Sequence, residues 1–397
     1  MQLTNDERAT LDGARGPAAA KSMRILATLG DIFGAERLVP VSSAQISGVS
    51  YKTVGDAGLE FLEGFAAEGA RVTIPAFLNP CGMDLRRWRE MGVPVGFARK
   101  QLRIVAAYER MGVTLTATCT PYLAGIVPAP GEHVAWAESS AVSYVNSVLA
   151  ARTNRESGVS ALAAAICGRT PAWGLHLEQN RVASLVVEVN APLRHTADYG
   201  ALGVHVGRLA RGRVPAFTGI PAASPDQLKA LGAAMAASGS VALYFVEGFT
   251  PEWQLAAKQD RLTVDEADLD AVRRALHTAD DPELIALGCP HCSLAELQAI
   301  HRTLRVADQV QAGLGGRRLW VCTSRAVAED PAAAEAVAAI EAAGGQVLCD
   351  TCMVVAPIEE MGITRTATNS GKAATYLPSL CKQAVAFGSL EEILSGA

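Results

Sequence analysis

The sequence predicts an α/β protein of two or three lobes with mostly parallel strands, and three observations carry that expectation. Helical apolar patterns alternate with short β-branched runs along most of the chain, as expected when each strand is followed by a helix crossing back over its sheet. The apolar runs stop at Gly, Pro or Thr, several with a cysteine at or just past the end, which reads as buried strands entering loops. With 397 residues, 50% of them hydrophobic, the chain can fill more than one core.

The elements follow in order. Thr4-Asn-Asp-Glu7 forms a capping box that opens the first helix. Asp56 to Gly69 places Leu59, Leu62, Phe65 and Ala66 at helical spacing. A strand is expected over Arg71–Ile74, then a turn-rich loop at Asn79-Pro-Cys-Gly-Met83. An amphipathic helix over Phe97–Met111 feeds a strand over Val113–Thr118. Glu138 to Ala151 reads as helix, the polar tract Arg152-Thr-Asn-Arg-Glu-Ser-Gly158 interrupts it, and an Ala-rich helix resumes over Ser160–Cys167. Val182–Val189 is strand-like. From Ala201 to Gly219-Ile-Pro221 the pattern becomes short Gly- and Pro-punctuated segments, and a strand over Val241–Val246 precedes the loop at 248–251. The last third reads as a separate α/β unit, with strands at 284–287, 318–322 and 346–348 and helices over Ser293–Ala312 and 328–343. The lobes are expected at 1–200, 201–280 and 281–397.

Composition excludes several function classes. A net charge of −5 gives no electrostatic reason to expect nucleic acid. No run approaches the ~18 apolar residues of a membrane span. The polar, acidic start Met1-Gln-Leu-Thr-Asn-Asp-Glu-Arg8 is unlike a signal peptide, so a cytoplasmic location is expected. There, the nine cysteines should be reduced thiols, and Cys167, Cys322 and Cys381 fit ordinary packing in helix or strand.

The remaining cysteines carry the chemistry. Cys119, Cys289 and Cys352 lie in three distant segments at strand ends, where sites assemble in open α/β sheets. Three thiolates could meet there around a metal centre. Cys289-Pro-His-Cys292 and Cys349-Asp-Thr-Cys352 also form two CxxC pairs. These allow a structural zinc site in a non-catalytic scaffold, although such pairs usually stand ~15–20 residues apart. A redox pair at Cys289 and Cys292 is another reading, and inert burial a fourth. Three polar turns add anion-friendly groups: Ser43-Ala-Gln-Ile-Ser-Gly-Val-Ser50, Arg152-Thr-Asn-Arg155 and Thr368-Asn-Ser-Gly-Lys372. Each alone is better explained by loop and capping chemistry.

Taken with their surroundings, these segments resemble the aconitase X family of the aconitase superfamily. The resemblance runs from Ser43-Ala-Gln-Ile-Ser-Gly-Val-Ser-Tyr-Lys-Thr-Val-Gly-Asp-Ala-Gly58 and Asn79-Pro-Cys-Gly-Met-Asp84 through Ala117-Thr-Cys-Thr-Pro-Tyr122, Glu138-Ser-Ser140 and Asn146-Ser-Val-Leu-Ala-Ala-Arg-Thr-Asn-Arg-Glu156. It continues in Gly288-Cys-Pro-His291, Asp350-Thr-Cys-Met-Val-Val355 and Thr368-Asn-Ser-Gly-Lys372. It implies an aconitase-like multi-lobed fold with an iron–sulfur cluster, 2Fe–2S or 4Fe–4S, between the lobes. The implied ligands are Cys119, Cys289 and Cys352, with Cys292 and Cys349 as bystanders. It also implies a hydro-lyase that uses an open iron as Lewis acid on a departing hydroxyl. Ser47, Arg152 and Lys372 are the expected catalytic residues. Ser47, Asn79, Asn146, Arg152, Asn154, Arg155, Ser370 and Lys372 are expected around a small carboxylate substrate, with Glu138 as a further partner. The chain looks like the large subunit, without the swivel domain, so a small swivel-domain subunit is expected as partner. Of the two activities the family implies, the Ala-, Gly- and Arg-rich composition favours dehydration of cis-3-hydroxy-L-proline to Δ1-pyrroline-2-carboxylate. Dehydration of mevalonate 5-phosphate is the alternative.

Overall fold

A computed structural model describes residues 1–309 and 314–395. Three parallel sheets, each in its own stretch of sequence, form the framework. The first joins Ala76–Leu78, Ala44–Ile46 and Ala135–Trp136 in that order. The second joins Phe245–Val246, Pro215–Thr218, Ala183–Val189 and Leu255–Val264. The third joins Gln346–Leu348, Arg318–Thr323, Leu284–Cys292, Arg365–Thr368 and Ala384–Phe387. A short antiparallel ladder between Leu38–Pro40 and Arg169–Pro171 ties the start of the first region to its end.

Each region has its own core, and one further cluster lies between them. Met83, Trp88 and Phe97 from the first region meet Ala197 and Ala201 from the second, and Cys289, Cys352 and Leu377 from the third. Burial across this junction is what holds the three lobes around a common centre.

Several elements match the sequence reading, including the Thr4/Glu7 capping box and the strand Ala183–Val189. Others differ. The residues expected as a strand at 71–74 are loop, and the strand lies at Ala76–Leu78. The stretch 113–118 makes only a single bridge, Phe77 to Thr114. The segment read as short pieces from Ala201 to Pro221 opens inside a long helix, Thr196–Ala210, and a second, Pro225–Gly239, follows it. The glycines inside the first of these helices serve packing rather than turns: a Cβ on Gly203 would stand 2.5 Å from the Leu231 carbonyl oxygen. The expected helix at 328–343 is broken into Arg325–Ala328 and Ala334–Ala342 around Pro331. The helix expected to reach Ala312 runs over Leu294–Gln309, and its expected end lies outside the described residues.

Candidate active site at the strand ends

In the third sheet the first strand in sequence, Leu284–Cys292, is central. The next two strands add on one side and the last two on the other. Such a reversal opens a crevice at the carboxyl ends of the two inner strands. Cys289 comes from one of them, and Ser370 and Lys372 follow the other, Arg365–Thr368. The ladder between Leu284–Cys292 and Arg318–Thr323 loses register after Leu287. Gly288 makes that break feasible: its φ is +92°, and a Cβ there would fall 2.0 Å from the Cys322 carbonyl oxygen.

Ser370 caps the helix Gly371–Cys381. Its Oγ accepts from the Ala373 N–H at 3.0 Å and donates to the Cys289 carbonyl. Both of its hydroxyl roles are therefore structural. The helix start presses on a second-region helix, since a Cβ on Gly371 would stand 2.6 Å from the Gly200 carbonyl oxygen. This backbone contact fixes where Lys372 emerges.

The other two cysteines arrive on loops. Cys119 follows Thr118, whose N–H donates to the Leu78 carbonyl at 3.0 Å beside the first sheet. Cys352 opens a turn in which its carbonyl accepts from the N–H groups of Val355 and Ala356. That loop is tied to the first region through the Cys81 N–H, which donates to the Asp350 carbonyl at 2.6 Å. All nine cysteines are buried free thiols.

Cys119, Cys289 and Cys352 lie close enough to influence one another's charge. The Cys289 thiol donates a hydrogen bond to Cys352, which lifts its own pKa, with burial adding. The same bond, helped by the Val355 and Val354 N–H groups, holds Cys352 down. Burial pushes Cys119 up to about 12, against the pull of Lys372. The Lys372 ammonium favours the thiolate at all three.

Lys372 pairs with the carboxylate of Glu138, which caps the helix Ser139–Ser147. Lys372 also donates to the Ser140 Oγ at 3.1 Å, and the Asn79 amide donates to Glu138 at 2.9 Å. Burial would raise the Glu138 pKa, but Lys372, the Ser140 N–H and Asn79 outweigh it and hold the carboxyl at about 2. Burial would likewise depress Lys372, yet Glu138 with the neighbouring thiols keeps it above its ordinary value. The pair is thus ionised at neutral pH and shielded from water. The Asn79 Oδ1 beside it is buried without a hydrogen-bond partner among the described residues, an acceptor left for a ligand donor.

The remaining expected residues are dispersed. Ser47 is half-buried, one residue past Ile46, whose carbonyl accepts from the Asn79 N–H at 2.9 Å. Arg152 pairs with the exposed Glu178. Arg155 is exposed, with no ion pair among the described residues. Asn154 is used internally, donating to the Trp173 carbonyl and accepting from the Leu175 N–H. Asn146 is fully buried: it donates to the Thr153 and Ala242 carbonyls and accepts from Thr153 N–H and Arg181. Both asparagines shape the turn that carries Arg152. The sequence reading missed Ser140, Thr118 and Lys229, and passed over His291 inside the Cys-Pro-His-Cys motif, where a histidine between two cysteines was the available signal.

The two CxxC pairs are split apart. Cys292 packs with Leu297, Ile300 and Val321 in the core of the third region, whereas Cys289 faces the junction between regions. Cys349 lies beside Arg325, Asp350 and Asp84. Among the described residues, no three His, Cys, Asp or Glu side chains close around a single ion. The donor chemistry of Cys119, Cys289 and Cys352 nonetheless suits a cluster: three buried thiols, a nearby cation, and backbone N–H groups on Cys119 and Cys352 sulfur. No helix among the described residues is long and apolar enough to cross a membrane.

Comparison with known proteins gives concordant results. Family models for the first, second and third domains of aconitase X match residues 1–179, 183–274 and 282–397. A phosphomevalonate dehydratase large subunit from Methanothermobacter thermautotrophicus is 54% identical over 96% of this chain and 95% of its own length. A cis-3-hydroxy-L-proline dehydratase from Hypocrea jecorina is 37% identical over 100% of this chain and 68% of its own. The crystal structure of Thermococcus kodakaraensis aconitase X in its holo form superposes with a TM-score of 0.93 at 44% identity, covering 100% of both chains. The chain therefore belongs to the aconitase X family of hydro-lyases.

Proposed function

We propose that this chain is the large subunit of a phosphomevalonate dehydratase. The observation that carries this reading is the 54% identity to such a subunit, extending over 95% of that protein. The hydroxyproline dehydratase is less similar, at 37%, and this chain spans only 68% of it. The composition-based preference for hydroxyproline is therefore set aside. Enrichment in Ala, Gly and Arg over the whole chain says nothing about the pocket that a substrate meets.

An iron–sulfur cluster held by Cys119, Cys289 and Cys352 would supply an open iron as Lewis acid for the leaving hydroxyl. The chain's own groups do the rest. Lys372 offers a buried ammonium to a substrate anion, and Glu138 keeps it in place and charged. The free acceptor of Asn79 and the half-buried Ser47 lie on the adjoining loops and orient the substrate hydroxyl groups. Arg155, exposed and without an ion pair among the described residues, is a free guanidinium of the kind a phosphate pairs with. Glu138 is committed to Lys372, Asn79 and Ser140, so the base that takes the carbon-bound proton is assigned to a small partner subunit.

The test is anaerobic co-expression with a small aconitase X subunit, followed by assay on mevalonate 5-phosphate and cis-3-hydroxy-L-proline. Water loss from the first and not the second is expected. Turnover of hydroxyproline alone would overturn the assignment.

A further inference from the structure

His291 is fully buried and held on every side. Its ring Nε2 lies 2.8 Å from the Thr351 carbonyl oxygen. A carbonyl can only accept, so Nε2 carries the proton, and in the neutral ring Nδ1 is then an acceptor. Nδ1 lies 3.0 Å from the Thr118 hydroxyl, which donates to it. The His291 main-chain N–H donates to the Cys119 Sγ at 3.2 Å. Its carbonyl accepts at 3.2 Å from Lys229, a buried second-region lysine that also pairs with Asp226 and Glu296.

These four bonds have a common geometry. Thr118 immediately precedes Cys119, Thr351 immediately precedes Cys352, and His291 follows Cys289 by two residues. One imidazole therefore spans the two loops that bring the other two cysteines, while its backbone is anchored on the second region. We infer that His291 is the positioning residue of the site, a clamp that sets the spacing of the Cys119, Cys289 and Cys352 loops for the group they hold. A phenyl ring could fill the same space but would hold neither loop. The ring would then leave the Thr118 hydroxyl and Thr351 carbonyl without their shared partner in a buried place.

This inference rests on the three-cysteine ligand reading, so the experiment separates the two. Wild type, Cys119→Ser, His291→Phe, His291→Gln and Thr118→Val are each reconstituted with iron and sulfide. Iron release to a chelator is timed by loss of visible absorbance, and apo-protein melting is recorded in parallel. Release from His291→Phe is expected to be ~10- to 100-fold faster than from wild type. His291→Gln, which can still reach the Thr351 carbonyl, should recover part of the loss. Thr118→Val, which removes one leg and leaves the histidine, should fall between wild type and His291→Phe, with apo melting near wild type. Wild-type release rates in both Thr118→Val and His291→Phe would overturn the clamp while leaving the ligand set intact. Full cluster retention by Cys119→Ser would overturn the ligand set, and the clamp with it.

Discussion

Replacing Lys372 by Met should destabilise the protein more than its one lost ion pair suggests. The side chains of Lys372 and Glu138 are 7% and 13% exposed, so neither charge has water to fall back on. Removing the ammonium strands a buried carboxylate, a change that costs ~3–5 kcal/mol. The pKa of Glu138 gives a consistent scale, since a carboxyl held at about 2 rather than 4.5 reflects ~3 kcal/mol of favourable interaction at neutral pH. The sign follows from the direction of the shift. A depressed carboxyl contributes stability that is complete above 4.5 and lost as pH falls through about 2. In Lys372→Met the carboxyl loses its cation, burial dominates, and its pKa rises, so the variant should gain relative to wild type as pH falls from 7 toward 5. Thermal melting of the apo-protein at several pH values measures both effects. The double variant Lys372→Met with Glu138→Gln removes both charges and should recover most of the loss. Additive losses in the double variant, or a Lys372→Met melt indistinguishable from wild type at pH 7, would refute the reasoning.

Other outcomes follow from the same geometry. Cys119→Ser, Cys289→Ser and Cys352→Ser should each lose iron and sulfide, whereas Cys292→Ser and Cys349→Ser, whose thiols lie in other surroundings, should keep them on elemental analysis. Asn146→Ala should lower stability by ~2–4 kcal/mol, because it leaves several buried groups unpaired; any activity surviving at low temperature should show little change in KM. Gly371→Ala must push the Gly200 backbone away from a 2.6 Å approach and should cost ~1–3 kcal/mol, together with turnover, read by melting and assay of the reconstituted complex. Arg152→Gln breaks a pair whose partner is exposed and should alter stability by under ~1 kcal/mol.

The third region was the most legible part of the fold. Its strands are apolar runs with sharp ends, and burial on both faces leaves a continuous signature at Leu284–Leu287 and Leu319–Cys322. The helix Thr196–Ala210 was lost because Gly200, Gly203 and Gly207 punctuate its sequence like turn residues. In the structure they are contact points for Pro225–Gly239 and Gly371, a tertiary reason that no local pattern carries. The strand expected at 113–118 has β-branched residues at the right spacing, yet Ala117 sits at φ +43° and breaks the ladder just before Cys119.

At the site, residue type singled out loops but did not say which side chains meet or what each one bonds to. Lys372 and Glu138 meet across 234 residues of sequence, a pairing that only the fold reveals. Asn146 and Asn154 look like ligand-binding amides in a polar tract; their hydrogen bonds go to other protein groups, from the Thr153 backbone to Ala242 and Arg181 for Asn146 and to Trp173 and Leu175 for Asn154. His291 was overlooked for the opposite reason: cysteines drew attention to its motif, while its ring works on loops far away in sequence.

The Gly200–Gly371 approach has a mechanical consequence. Main chain meets main chain there with no side chain between, so the contact has no rotamers and little compliance. It acts as a hard stop, giving the helix that carries Lys372 a fixed seat on the middle lobe. Relative movement of the lobes is therefore easier at joints where side chains can slide than at this one, which ties the Lys372 helix to the middle lobe.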